Sequence, residues 1–127
     1  MKVMLADDEP HHALLLELFL RKWGYEDVSS WMDGGQVLRA LEAEREPCLV
    51  ILDWLMPVLN GIEVTRTIKG SRSDVYVVMV TGKAQARDRS HAMSAGADDF
   101  IAKPYEPEAL RTALRRGCEA LDRARKV

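Results

Sequence analysis

The chain alternates short apolar runs with segments whose apolar residues recur at helical spacing, and it repeats that alternation five times. Residues 2–6 read as a strand. Pro10 then suits the first turn of a helix, where its missing N–H costs nothing. That helix is predicted to reach about Trp23 and to stop at Gly24. A short, weak second strand falls near 27–31. Asp33-Gly34 turns the chain into a second helix with Val37, Leu38 and Leu41 on one face. Pro47 ends the connection, and residues 49–53 form the third strand. A loop through Pro57 and Gly61 leads to a third helix carrying Ile62, Val64 and Ile68. Residues 75–81 are the fourth strand. A polar fourth helix runs from about 84 to 95 and ends at Gly96, and the fifth strand is 99–102. The fifth helix starts near Glu106-Pro107 and carries Leu110, Leu114, Gly117 and Leu121 on one stripe. Strands alternating with helices imply an α/β fold with a parallel sheet covered on both faces, because right-handed crossovers place helices there. The pattern does not set the strand order. No repeat, linker or low-complexity segment interrupts it, so residues 1–127 read as one domain.

The residues that end these runs carry the chemistry. Leu49-Val50-Ile51-Leu52 stops on Asp53, and Val3-Met4-Leu5-Ala6 stops on Asp7 and Asp8. The fourth strand ends on Thr81. Phe100-Ile101-Ala102 ends on Lys103 and Pro104. In open α/β sheets the C-terminal strand edge is where ligands bind. Three acids, a hydroxyl and a lysine are therefore predicted at one edge. Carboxylates converging there repel one another and call for a cation. A hard divalent ion with oxygen ligands meets that need, and Mg²⁺ is the natural candidate. Lys103 and the Thr81 hydroxyl add donors for an oxyanion. A phosphoryl group fits such a site, with one aspartate attacking in line.

Composition changes this picture little. Hydrophobic residues make up 47% and charged residues 30%, with a formal net charge of −2, which points to neither nucleic acid nor a membrane surface. No apolar stretch approaches the length of a membrane-spanning helix. Met1-Lys2-Val3 enters a strand at once, which is read as leaving no room for a signal peptide. Cys48 and Cys118 form no metal-type spacing and are expected to be reduced thiols in a cytoplasmic protein.

Asp7-Asp8-Glu9-Pro10, Asp33-Gly34, Asp53 with Met56-Pro57, Asn60-Gly61, Thr81-Gly82, Ala95-Gly96-Ala97-Asp98-Asp99 and Lys103-Pro104 occur in this order. Together they make the chain resemble a response-regulator receiver domain of two-component signalling, over residues 2 to about 120. The resemblance implies a flavodoxin-like, doubly wound five-stranded parallel sheet of order 2-1-3-4-5 with five helices. It implies that Asp53 accepts a phosphoryl group from a phosphohistidine of a sensor histidine kinase or phosphotransfer protein. Asp8, Asp53 and the backbone carbonyl of Leu55 would bind Mg²⁺ directly, and Asp7 would hold a metal-bound water or ligate more weakly. Lys103 would pair with the phosphoryl oxygens. Thr81 would hydrogen-bond the phosphoryl group and Phe100 would be the aromatic switch, so that the face of helix four, strand five and helix five changes. The Lys103-Pro104 peptide bond is expected to be cis.

Some positions depart from the family pattern. In receivers the positions of Leu55 and Lys83 flank the route of the hydrolytic water. An apolar Leu55 cannot orient water and Lys83 can add a charge contact, so a long-lived adduct is expected. Winged-helix transcription factors usually carry Glu six and Arg ten residues after the lysine, for a charged dimer face; here Ala109 and Ala113 stand there. A homodimer through another surface stays open. Helix five, about 106–125, resembles the end of receivers that precede catalytic output domains such as diguanylate cyclases. A stand-alone receiver and the receiver of a longer protein both stay open, the second being favoured.

The resulting expectation is a phospho-accepting switch rather than a turnover enzyme, with no direct nucleic-acid or membrane contact. Three rivals are weaker. An aspartyl-phosphate phosphatase needs a second acid where Leu55 stands. A flavodoxin-like nucleotide module needs a glycine- or hydroxyl-rich loop where Asp7-Asp8-Glu9-Pro10 stands. A degenerate receiver acting as a scaffold sits poorly with intact acids and lysine. His11, His12 and His91 read as helix surface. Leu14, Leu15, Leu16, Leu18, Phe19 and Leu20 are too many for one stripe; most are expected in the core, with one or two exposed for kinase docking. Trp54 reads as a packing or surface residue. Arg111, Arg115, Arg116, Arg123, Arg125 and Lys126 read as solvated.

Overall fold

The computed structural model describes residues 1–125. The elements run β1 (Lys2–Ala6), α1 (Pro10–Lys22), β2 (Val28–Trp31), α2 (Gly34–Ala43), β3 (Cys48–Asp53), α3 (Gly61–Ser71), β4 (Val75–Thr81), α4 (Ala86–Ala95), β5 (Asp99–Ala102) and α5 (Pro107–Arg125). The strands form one parallel sheet in the order β2-β1-β3-β4-β5. The α/β class follows from the alternation, and the order is the flavodoxin-like one that the resemblance implies. Lys126, and the side chain of Arg125, lie outside the described residues.

Strand side chains alternate between the two faces, so each strand feeds two cores. Met4, Val50, Leu52, Val77 and Met79 pack under α2, α3 and α4 with Val37, Leu41, Ile62, Val64 and Ile68. Val3, Leu5, Leu49, Ile51, Val78 and Val80 pack under α1 and α5 with Leu16, Leu20, Leu110, Leu114 and Leu121. Each fully buried Leu, Ile or Val contributes about 1.5–3 kcal/mol, which is what holds the helices to the sheet. The stripe on α5 is buried as its spacing predicts, Gly117 included. Arg72 ties the α2–β3 connection down by donating to the carbonyls of Leu41, Glu44 and Glu46 at 3.0, 2.9 and 3.1 Å.

Local chemistry starts and stops the helices near the site. Glu9 caps α1 by accepting the His11 and His12 N–H groups, and Asn60 with Glu63 forms a capping box on α3. Asp33 caps α2 through the Gln36 N–H at 2.8 Å. Gly96, at φ +112°, ends α4. α4 itself begins at Ala86, later than the expected start near 84. The Lys83 N–H is held by the Thr81 hydroxyl at 3.1 Å, and Asp88 accepts the Gln85 N–H at 3.2 Å, which sets the first turn beyond Gln85.

The leucines of α1 correct the expectation. Only Leu16 and Leu20, one turn apart, are fully buried. Leu14, Leu15 and Leu18 are 55%, 45% and 57% exposed. One side of α1 meets the sheet, and the rest of its apolar surface stays open. Among the described residues no helix is long and apolar enough to cross a membrane.

Candidate phosphoryl-acceptor site

β1 and β3 are neighbours in the sheet, while β2 follows β1 on one side and β3 continues on the other. That reversal opens a crevice at their C-terminal ends. Asp7 and Asp8 follow β1 there, and Asp53 closes β3. Carboxylate oxygens of the three all lie within 4.8 Å of one another. Lys103, just past β5, places Nζ 2.8 Å from Asp53 Oδ2 and 3.9 Å from Asp7 Oδ2. The Leu55 N–H donates to Asp53 Oδ1 at 3.3 Å. The predicted acids and lysine are thus brought together.

The acids differ in surroundings. Asp8 is exposed, Asp53 is half-buried, and Asp7 is only 3% exposed. Burial pushes the Asp7 carboxyl up. Hydrogen bonds from His12 and the Glu9 N–H, with the Lys103 charge, outweigh that and leave it below the usual carboxylate range. Three carboxylates and one ammonium leave an excess of negative charge. All the side-chain donors are hard oxygens, the set that Mg²⁺ or another hard divalent ion takes.

Thr81 is buried at the end of β4, its hydroxyl accepting the Lys83 N–H. Its carbonyl accepts the Lys103 N–H at 2.8 Å, so β4 and β5 hold hydroxyl and lysine on the same edge. The Lys103-Pro104 peptide bond is cis, as expected. Phe100 is buried, with the Arg89 guanidinium 5.8 Å from its ring centroid. Trp54 is a buried packing residue; Lys83 Nζ lies 5.1 Å above its ring and His91 meets it edge-on at 5.5 Å. Leu55 is 63% exposed beside Asp53.

His12 corrects the surface expectation. It is the third residue of α1, so it turns back over the end of β1. Nδ1 meets Asp7 Oδ2, and Nε2 meets the Tyr105 hydroxyl at 3.0 Å. The Glu9-Pro10 start of α1 was the available sequence signal, since it sets which helical residue faces the strand end. His11 is exposed, as read.

A family model described as the response regulator receiver domain matches residues 3–115. The chain belongs to this family. The DNA-binding response regulator MtrA of Mycolicibacterium smegmatis is 38% identical over 114 residues, covering 90% of this chain and 49% of that protein. The alkaline phosphatase synthesis transcriptional regulatory protein PhoP of Bacillus subtilis is 32% identical, covering 90% and 47%. The receiver thus spans about half the length of these curated relatives. Among solved structures, the receiver domain of a histidine kinase from Syntrophus aciditrophicus superposes with a TM-score of 0.86 at 29% identity, covering 96% of this chain and 92% of that one. The receiver domain of the sensor histidine kinase PA1611 from Pseudomonas aeruginosa, with a magnesium ion coordinated in its active-site cleft, gives 0.79 at 31%, covering 91% and 94%.

Proposed function

We propose that this receiver is a phospho-accepting signalling switch with Asp53 as the acceptor. The observation that carries the reading is the Asp53 carboxylate, set among Asp7, Asp8 and Lys103 at the sheet's C-terminal edge. In the transfer an Asp53 oxygen attacks phosphorus in line. The new O–P bond forms as the P–N bond to the donor imidazole breaks, and the imidazole leaves with the electron pair. Asp8, Asp53 and the Leu55 carbonyl would hold Mg²⁺, with Asp7 beside them. When bound, Mg²⁺ neutralises the phosphoryl oxygens. Lys103 moves from Asp53 to a phosphoryl oxygen, and Thr81 gives up its Lys83 contact to donate to another. Phe100 then shifts with Thr81 and alters the α4–β5–α5 face.

The test is incubation with acetyl phosphate and Mg²⁺, read by intact mass. One phosphoryl adduct that EDTA prevents supports the reading; no adduct refutes it. Lys103→Ala is expected to keep Mg²⁺ binding while losing the activated state. That lysine supplies a charge-assisted contact of about 1.5–3 kcal/mol that exists only with the phosphoryl group in place. Trp54 fluorescence with beryllofluoride reads the outcome, and a wild-type response in the mutant contradicts the role.

The adduct is long-lived in this reading. Leu55 offers no group to orient water, and Lys83 can move from Trp54 to the phosphoryl group. Leu55→Asn is expected to speed adduct loss about tenfold by positioning a water. Time-resolved intact mass measures this, and fast loss in the wild type removes the proposal.

The donor partner is a histidine kinase or phosphotransfer protein in the cytoplasm. Leu15 of α1, with Phe19, Pro104 and Tyr105, offers its helices an apolar seat beside Lys103. Residues 1–127 are proposed to act as one receiver domain, with α5 as the element through which a linked output domain would be reached. Ala113 is buried against the sheet and cannot serve an intersubunit ion pair. A homodimer is therefore proposed only through another surface, and Arg116 is already paired within the chain with Asp99 at 3.1 Å.

A further inference from the structure

His12 lies outside the residues to which the receiver resemblance gives roles, yet its ring sits in the second layer of the site. A carboxylate only accepts, so Nδ1 is the donor to Asp7 Oδ2. In the neutral ring Nε2 then accepts the Tyr105 hydroxyl at 3.0 Å. The other Asp7 oxygen accepts the Glu9 N–H at 2.9 Å. Both oxygens of this buried carboxylate are therefore held by the chain itself. Lys103 stands 3.9 Å from Asp7 Oδ2 and is committed to Asp53 at 2.8 Å, so it does not replace His12.

We propose that His12 is a positioning residue of the cation site: it fixes the Asp7 carboxylate toward Asp8 and Asp53 and ties it to Tyr105, just past Pro104. This rests on the reading of Asp53 as phosphoryl acceptor. A carboxylate free to turn must be ordered when the cation arrives, and a carboxylate already held does not carry that cost. Partners that orient metal ligands in this way typically change metal affinity by 10–100-fold. The tie to Tyr105 also joins the cation site to the apolar seat beside α1, because Tyr105 belongs to both.

Mg²⁺ affinity of this chain, measured by calorimetry, tests the proposal, with the unfolding midpoint in EDTA as the fold control. His12→Ala is expected to bind Mg²⁺ about tenfold more weakly. His12→Asn, whose amide nitrogen takes the place of Nδ1, is expected to recover most of that loss. Equal or tighter binding by His12→Ala overturns the proposal, since the ring would then be idle or a competitor of the cation. No recovery in His12→Asn also overturns it, leaving only packing. Should His12→Ala not fold, Tyr105→Phe takes its place: a several-fold loss supports the relay and unchanged affinity overturns it. Failure of the wild type to bind Mg²⁺ or form the adduct removes the acceptor reading and the proposal together. Normal wild-type adduct formation with an unaffected His12→Ala removes the proposal alone.

Discussion

Asp53→Asn abolishes the phosphoryl adduct while leaving the receiver folded. The substitution keeps side-chain shape, so the pairing of Asp53 with Val80 at the end of β3 persists. What disappears is the nucleophile. An amide oxygen does not attack phosphorus at neutral pH, and the Lys103 ammonium loses its charged partner at 2.8 Å. Removing a nucleophile on which the covalent step depends costs on the order of 10³-fold or more in rate. Asp7 and Asp8 remain, so Mg²⁺ binds more weakly but measurably. One carboxylate fewer also relieves repulsion in the cluster, so the metal-free melting temperature should hold or rise slightly. Intact mass after acetyl phosphate treatment decides it. Adduct at the wild-type level would move the acceptor to another residue.

The acids, Thr81 and Lys103 could be read from sequence because each terminates a short apolar run. A parallel sheet delivers all such ends to one edge, so their convergence follows from topology. His12 could not be placed in that way. Its contact with Asp7 bridges a turn, and its contact with Tyr105 spans 93 positions, which no local periodicity reports. The leucines of α1 escaped for a different reason. Spacing says which residues share a face, but the width of the buried face depends on how closely neighbouring elements flank the helix. Here only Leu16 and Leu20 are covered, and Leu14, Leu15 and Leu18 remain open. The late start of α4 reflects hydrogen bonds of the Thr81–Lys83 turn and of Asp88, short-range features that helical patterning does not contain.

Gly61→Ala is expected to damage both the fold and the site. Gly61 opens α3 directly after the Asn60 cap, and its N–H donates to the Trp54 carbonyl at 2.8 Å. Its backbone is outside the left-handed region, so conformational freedom is not what demands glycine. Close approach is. A Cβ there would meet the Asp53 carbonyl oxygen at 2.7 Å, Met79 Sδ at 2.8 Å and Trp54 Cα at 2.9 Å. The methionine sulfur can swing aside, but the two backbone atoms, at the end of β3 and in the residue after it, cannot. Either α3 lifts from the sheet, uncovering Ile62 and Val64, or the β3–α3 loop shifts. Overpacking of this kind costs roughly 1–3 kcal/mol, and backbone contacts place Gly61 at the upper end, a fall in Tm of about 10 °C. The same shift moves the Asp53 and Leu55 backbone, so acetyl phosphate labelling should slow in the fraction that stays folded. Thermal unfolding followed by circular dichroism, together with labelling rates below the transition, separates the two effects. A wild-type Tm with wild-type labelling would show that the chain opens this contact at no cost.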